Sequence, residues 1–76
     1  MVYILKCQDD TFYVGCTTDL RDRIQRHAAG HVPATKGRRP VTLHTYIAFP
    51  EKHRAFFFEK YLKSGSGRAF LGRHLV

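Results

Sequence analysis

The chain is poor in cysteine and acidic residues, has no long apolar run, and is 76 residues long. Its two cysteines, Cys7 and Cys16, are too few for a disulfide scaffold. Lacking a CxxC spacing, they make no recognisable zinc site with the scattered histidines. A reduced, cytoplasmic setting is the expectation. No stretch approaches the roughly 20 apolar residues of a membrane span, and the N-terminal segment does not combine a basic start with a long apolar core. A soluble protein that is not exported is therefore expected. Internal repeats and low-complexity tracts are absent too. A chain this short buries about 60% of its unfolded surface in one small core, so residues 1–76 are expected to form a single domain.

What the chain does have is positive charge. Thirteen Lys and Arg against six Asp and Glu give a formal net charge of +7, which raises the local concentration of polyanions. Nucleic acid is the first partner this implies, with solubility as the plainer explanation.

Val2 to Cys7 and Thr11 to Val14 are rich in β-branched and aromatic residues and are split by the polar Gln8-Asp9-Asp10, which predicts an antiparallel hairpin. Thr17 and Thr18 offer N-cap hydroxyls to a helix over about Asp19 to Ala29, with Leu20, Ile24 and Ala28 on its apolar face and Gly30 as its stop. His31 to Pro40 shows no periodicity and reads as a basic loop. Val41 to Phe49 predicts a third strand, ended by Pro50. Ala55, Phe58 and Leu62, widened by Phe57 and Tyr61, predict a helix over Glu51 to Leu62. A short last helix over Arg68 to Leu75, with Ser66 near its N-cap, follows the Ser64 to Gly67 break. The order β-β-α-β-α-α predicts a small α+β domain with a three-stranded, mainly antiparallel sheet flanked by helices.

Chemistry-bearing side chains fall at informative places. Tyr3 and Tyr13 share one face of the sheet if the hairpin loop has an odd residue count, so that Tyr3 pairs with Gly15 and Leu5 with Tyr13; a two-residue loop sends them to opposite faces. Taken singly, each is an ordinary strand aromatic. Arg23 and His27, four apart, are neighbours at the border of the apolar stripe. They are either solvated surface residues or a phosphate clamp, with Arg23 giving a planar fork of donors and His27 a proton carrier beside it. Glu59 lies on the margin of the second helix's stripe. It is either a partner for Lys60 or Lys63, or a ligand for Mg²⁺, which takes one or two carboxylates and fills its octahedron with water and phosphate oxygens.

Val2-Tyr3-Ile4, the ten-residue step to Tyr13-Val14-Gly15, then Thr17-Thr18-Asp19-Leu20, Arg23, His27 and Glu59-Lys60-Tyr61-Leu62-Lys63 together resemble the GIY-YIG nuclease superfamily. The likeness spans nearly the whole chain. It is nearest to stand-alone bacterial members similar to the catalytic domain of the excision-repair nuclease, and Gly37-Arg38-Arg39-Pro40-Val41 and Leu62 to Arg68 fit that subgroup.

The resemblance implies a metal-dependent endonuclease that hydrolyses DNA phosphodiester bonds, structure- or single-strand-selective, in repair or recombination. By carry-over, Tyr3 and Tyr13 face the scissile phosphate, Arg23 stabilises its charge, His27 assists and Glu59 holds Mg²⁺ or Mn²⁺. Tyr3 and His27 are rival general bases, since a phenol with a pKa near ~10 needs nearby cations to act at neutral pH. Lys36, Arg38, Arg39, Lys63 and Arg68 are the expected nucleic-acid contacts. Cys16 stands where many relatives place Lys, with Lys6 or Lys36 as substitutes for that cation. The alternative function is a binding module that keeps the fold and basic face without turnover. Phe56-Phe57-Phe58 exceeds what one helix face buries, which makes a homodimer patch a further expectation.

Overall fold

The computed structural model describes residues 1–76. Strands β1 (Val2–Lys6), β2 (Phe12–Cys16) and β3 (Thr42–Ile47) form an antiparallel sheet of order β2-β1-β3. Four helices surround it: α1 (Leu20–Ala28), α2 (Pro33–Lys36), α3 (Lys52–Lys63) and α4 (Gly65–His74). The α+β class and the expected order of elements hold, with α2 as an addition inside the segment expected to be loop. Pro33 supplies the φ angle of a first helical turn, and the amides of Thr35 and Lys36 both donate to the Val32 carbonyl, at 3.1 and 3.0 Å.

The hairpin closes with the odd loop. Cys7 N donates to Thr11 O at 2.8 Å and Asp10 N to Cys7 O at 3.0 Å, and Asp10 takes the left-handed conformation (φ 64°) that its short polar side chain tolerates. Tyr3 therefore faces Gly15 and Leu5 faces Tyr13 across the ladder. Both tyrosines lie on one face of the sheet, as the odd-loop alternative requires. On the other face, Val2, Ile4 and Val14 form the apolar core with Ala55 and Leu62 of α3, bordered by Phe49, Phe58, Phe70 and Leu71.

Gly15 is the residue this arrangement cannot exchange. A Cβ there would lie 2.3 Å from both Cζ and the hydroxyl oxygen of Tyr3, so the Tyr3 ring lies directly over the Gly15 backbone. The ring thereby carries its hydroxyl from the central strand to β2, an edge strand of the sheet.

Several boundaries differ from expectation for local reasons. Asp19, not Thr17 or Thr18, caps α1, accepting from Asp22 N at 3.1 Å. Gly30 (φ 81°) ends the helix as predicted, with His31 N on Arg26 O at 2.9 Å and Gly30 N on His27 O at 3.1 Å. The inward face of α1 is not the one expected: Ala28 is exposed, Leu20 and Ile24 are only half-buried, and His27 is the buried residue. The tyrosine face of the sheet offers it hydrogen bonds, which an apolar side chain would forfeit. Phe57 (63% exposed) and Tyr61 do not widen the stripe of α3, because the narrow sheet beneath accepts only Ala55, Leu62 and part of Phe58. α4 begins at Gly65, capped by Ser64 rather than Ser66, with Gly67 N donating to Ser64 Oγ at 3.2 Å.

Gly15→Ala is expected to cost about 1–3 kcal/mol, the scale of overpacking in a filled interior. Urea denaturation checks this, and the cost should largely vanish in a Tyr3→Ala background. An equal cost in both backgrounds would contradict the contact.

Candidate active site

Three buried polar side chains form a chain of hydrogen bonds across the tyrosine face. The Tyr3 hydroxyl lies 2.9 Å from His27 Nε2, and His27 Nδ1 lies 2.7 Å from Thr35 Oγ1. Tyr3, His27 and Thr35 are all fully buried, and each comes from a different element: β1, α1 and α2. The short α2 turn exists, in effect, to bring one hydroxyl to the back of the imidazole.

The Arg23 guanidinium lies near the same phenol and opposes the rise in its pKa. In the tautomer that lets the phenol donate to Nε2, His27 carries its proton on Nδ1 and donates to Thr35. Burial, aided by the Arg23 charge, lowers the His27 pKa from 6.5, so the imidazole is neutral at pH 7 and fit to accept. Burial raises the Tyr3 pKa above 10.0, with Tyr13 and Glu59 adding to the rise and Arg23 opposing it. The phenol is thus protonated at neutral pH.

Tyr13 and Glu59 complete the cluster. The Tyr13 ring centroid is 5.2 Å from that of His27 and 6.4 Å from that of Tyr3. Lys63 Nζ sits 5.6 Å from the centre of the Tyr13 ring and 3.2 Å from Glu59 Oε2. Lys63, one turn along α3, is therefore the cation beside Tyr13; Lys6 is engaged with Asp10 at 3.6 Å. The Glu59 side chain is 15% exposed, so its pairing with Lys63 is tighter than that of a free surface ion pair.

The expected nucleic-acid contacts divide. Arg38, Lys63 and Arg68 line one cavity of about 560 Å³ with Phe12, Tyr13 and Leu71, directly beside the tyrosine cluster. Arg38 is held there by Asp9 at 3.7 Å and by Thr11 Oγ1. Arg39 lies elsewhere: its Nε donates to Lys36 O at 3.0 Å and its Nη1 to Ala28 O at 3.3 Å, so it ties α2 to the end of α1. Lys36 is exposed on α2 and is not among the residues of the cavity.

Comparison with known proteins agrees with this architecture. The model of the GIY-YIG catalytic domain matches residues 1–70. The chain belongs to the GIY-YIG catalytic domain family. Among similar proteins, the UPF0213 protein BH0048 of Halalkalibacterium halodurans is 44% identical over 68 residues, covering 88% of this chain and 72% of that protein. The UPF0213 protein VNG_2274C of Halobacterium salinarum is 41% identical over 63 residues, 82% of each. The solution NMR structure of UPF0213 protein BH0048 from Bacillus halodurans superposes with a TM-score of 0.58 at 40% identity, over 95% of this chain and 80% of that one.

The GIY-YIG signature acquires a physical meaning in this chain. Tyr3 and Tyr13 are the two rings that the hairpin parity brings together, and Gly15 is the space one of them occupies. Val2 replaces a glycine at no cost because it points away, into the apolar core. Family members use a divalent metal; the carboxylate nearest the tyrosines here is Glu59, whose Oε2 is engaged by Lys63 at 3.2 Å. The site is not a closed protein cage, as no three His, Cys, Asp or Glu side chains cluster.

Thr35 escaped the sequence reading. Its only signal was a β-branched hydroxyl residue between Pro33 and Gly37, which composition assigns to a loop. Thr35→Val leaves His27 Nδ1 unpaired and is expected to cost about 1–3 kcal/mol, whereas Thr35→Ser keeps the bond and costs clearly less. Equal losses in chemical denaturation would contradict the bond.

A depressed His27 pKa also gives stability a direction with pH. The folded state binds fewer protons at this site than the unfolded chain, so the contribution is complete above the ordinary value of 6.5 and is lost as pH falls below it. Tm is expected to fall between pH 7.5 and 5.5, and to fall less in His27→Gln. The same drop in both proteins would contradict the assignment.

Proposed function

We propose that the chain is a divalent-metal-dependent endonuclease that hydrolyses DNA phosphodiester bonds. The observation that carries this is the convergence of Tyr3, Tyr13, Arg23, His27 and Glu59 at the β2 edge, beside a basic cavity. A binding module would gain nothing from a carboxylate, which repels phosphate, in that place. The resemblance to the excision-repair catalytic domain supports a role in DNA repair or recombination.

Each residue has a task suited to its chemistry. Glu59 would hold Mg²⁺ or Mn²⁺, which supplies a Lewis acid against the scissile phosphate and lowers the pKa of water. Arg23 stabilises the negative charge that grows on the phosphate during in-line attack. Tyr3 and His27 are arranged in series rather than as rivals. The phenol accepts a proton from the attacking water as its own passes to Nε2, and Thr35 steadies the ring that receives it. Tyr13 borders the phosphate on the other side, with Lys63 over its ring. Arg38, Lys63 and Arg68 hold the backbone beyond the scissile position.

The test is cleavage of single-stranded, duplex and branched DNAs with and without Mg²⁺, by wild type, Glu59→Ala and Arg23→Ala. Each variant is expected to lose roughly 10²–10³-fold in kcat, the cost of removing one charge-stabilising group. Activity unchanged in both variants would refute the site. No cleavage with salt-sensitive binding intact would turn the assignment to a binding module on the same fold.

A further inference from the structure

A second cavity, of about 460 Å³, opens at the other end of β2 and takes in Cys16, Thr17, Thr18, Arg23, Lys52 and Phe56. It shares Arg23 with the tyrosine cluster, while Lys52 and Phe56 have no part in that cluster. β2 runs from Phe12, at the Arg38 cavity, to Cys16, at this one. α3 packs against β2 and carries Lys52 and Phe56 at this end, Glu59 between and Lys63 at the far end. From Lys52 to Lys63 the helix rises about 16 Å at ~1.5 Å per residue. The cluster thus stands between two cavities, each lined by cationic side chains.

The cavity at the Cys16 end of β2 is equipped for a nucleotide. Lys52 is exposed and makes no ion pair, and Glu51 is already engaged by His53 at 3.0 Å and Arg54 at 3.6 Å. Phe56 is 48% exposed although it lines a cavity, and Lys60 Nζ steadies the ring 4.8 Å from its centre. A cation for a phosphate beside an open aromatic face for a base is the pairing that binds single-stranded nucleic acid without reading its sequence.

We infer that this cavity is a nucleotide subsite: Lys52 takes the phosphate next to the scissile one, and the base of that nucleotide stacks on Phe56. The inference rests on the proposed nuclease reading for the direction of the strand along β2. The strand crosses the cluster with the scissile phosphate near Tyr3 and Glu59, and the Arg38, Lys63 and Arg68 cavity holds it on the other side.

Binding of fluorescent single-stranded oligonucleotides in EDTA, where the strand stays intact, tests it separately from turnover. An abasic site moved along the oligonucleotide is expected to weaken wild type roughly tenfold at one position, and to have no such position in Phe56→Leu, which keeps apolar bulk without a ring. Lys52→Gln is expected to reduce the slope of log K against log salt by about 0.7, one phosphate contact on a single strand, and Arg21→Gln, on the exposed side of α1, to leave it unchanged. The same abasic profile in wild type and Phe56→Leu, or equal slopes for Lys52→Gln and Arg21→Gln, would overturn the subsite. Absence of any binding by wild type would overturn it together with the nuclease reading. The predicted profiles without metal-dependent cleavage would refute the nuclease reading and leave the subsite standing.

Discussion

A missing side chain governs the site. Because Gly15 has no Cβ, the Tyr3 ring can lie across the neighbouring strand, and its hydroxyl reaches the β2 edge from a position in the middle of the sheet. A residue on β1 would otherwise be confined to the interior, where a phenol is only packing. Everything else follows from where that hydroxyl ends. His27 turns inward to meet it, which is why α1 buries an imidazole in place of its apolar stripe. α2 winds one turn so that Thr35 meets the imidazole from behind.

Burial and the Arg23 charge reinforce each other on His27 and oppose each other on Tyr3. Burial lowers the pKa of His27 and raises that of Tyr3, so at neutral pH both are uncharged. Arg23 faces both groups: it adds to the depression of His27 and resists the rise of Tyr3. A second positive charge brought to the phenol, as by a metal held on Glu59, would act in the same sense and favour phenolate. The fold supplies a phenol that is protonated at neutral pH.

Much of this arrangement was legible in the residues. The hairpin, the parity that joins Tyr3 and Tyr13, and the helical spacing of Arg23 and His27 are local properties, set by periods of two and of four residues. Which loop length held depended on Asp10 accepting a left-handed conformation, a choice the sequence allowed without deciding. Contacts between elements were hidden. Thr35 matters through what the folded chain sets beside it, and nothing in its neighbours along the sequence marks it out. Arg39, read as a phosphate contact because it lies in a basic stretch, has a structural task as well, since the fold uses it to tie two helices together.

The central claim is that Tyr3 donates its proton to a neutral His27 held by Thr35, and ¹⁵N NMR of the His27 imidazole at pH 7 tests it most directly. The account predicts a neutral ring with the proton on Nδ1 and a hydrogen-bonded, unprotonated Nε2. A proton on Nε2, or a fully protonated imidazolium at that pH, would contradict it.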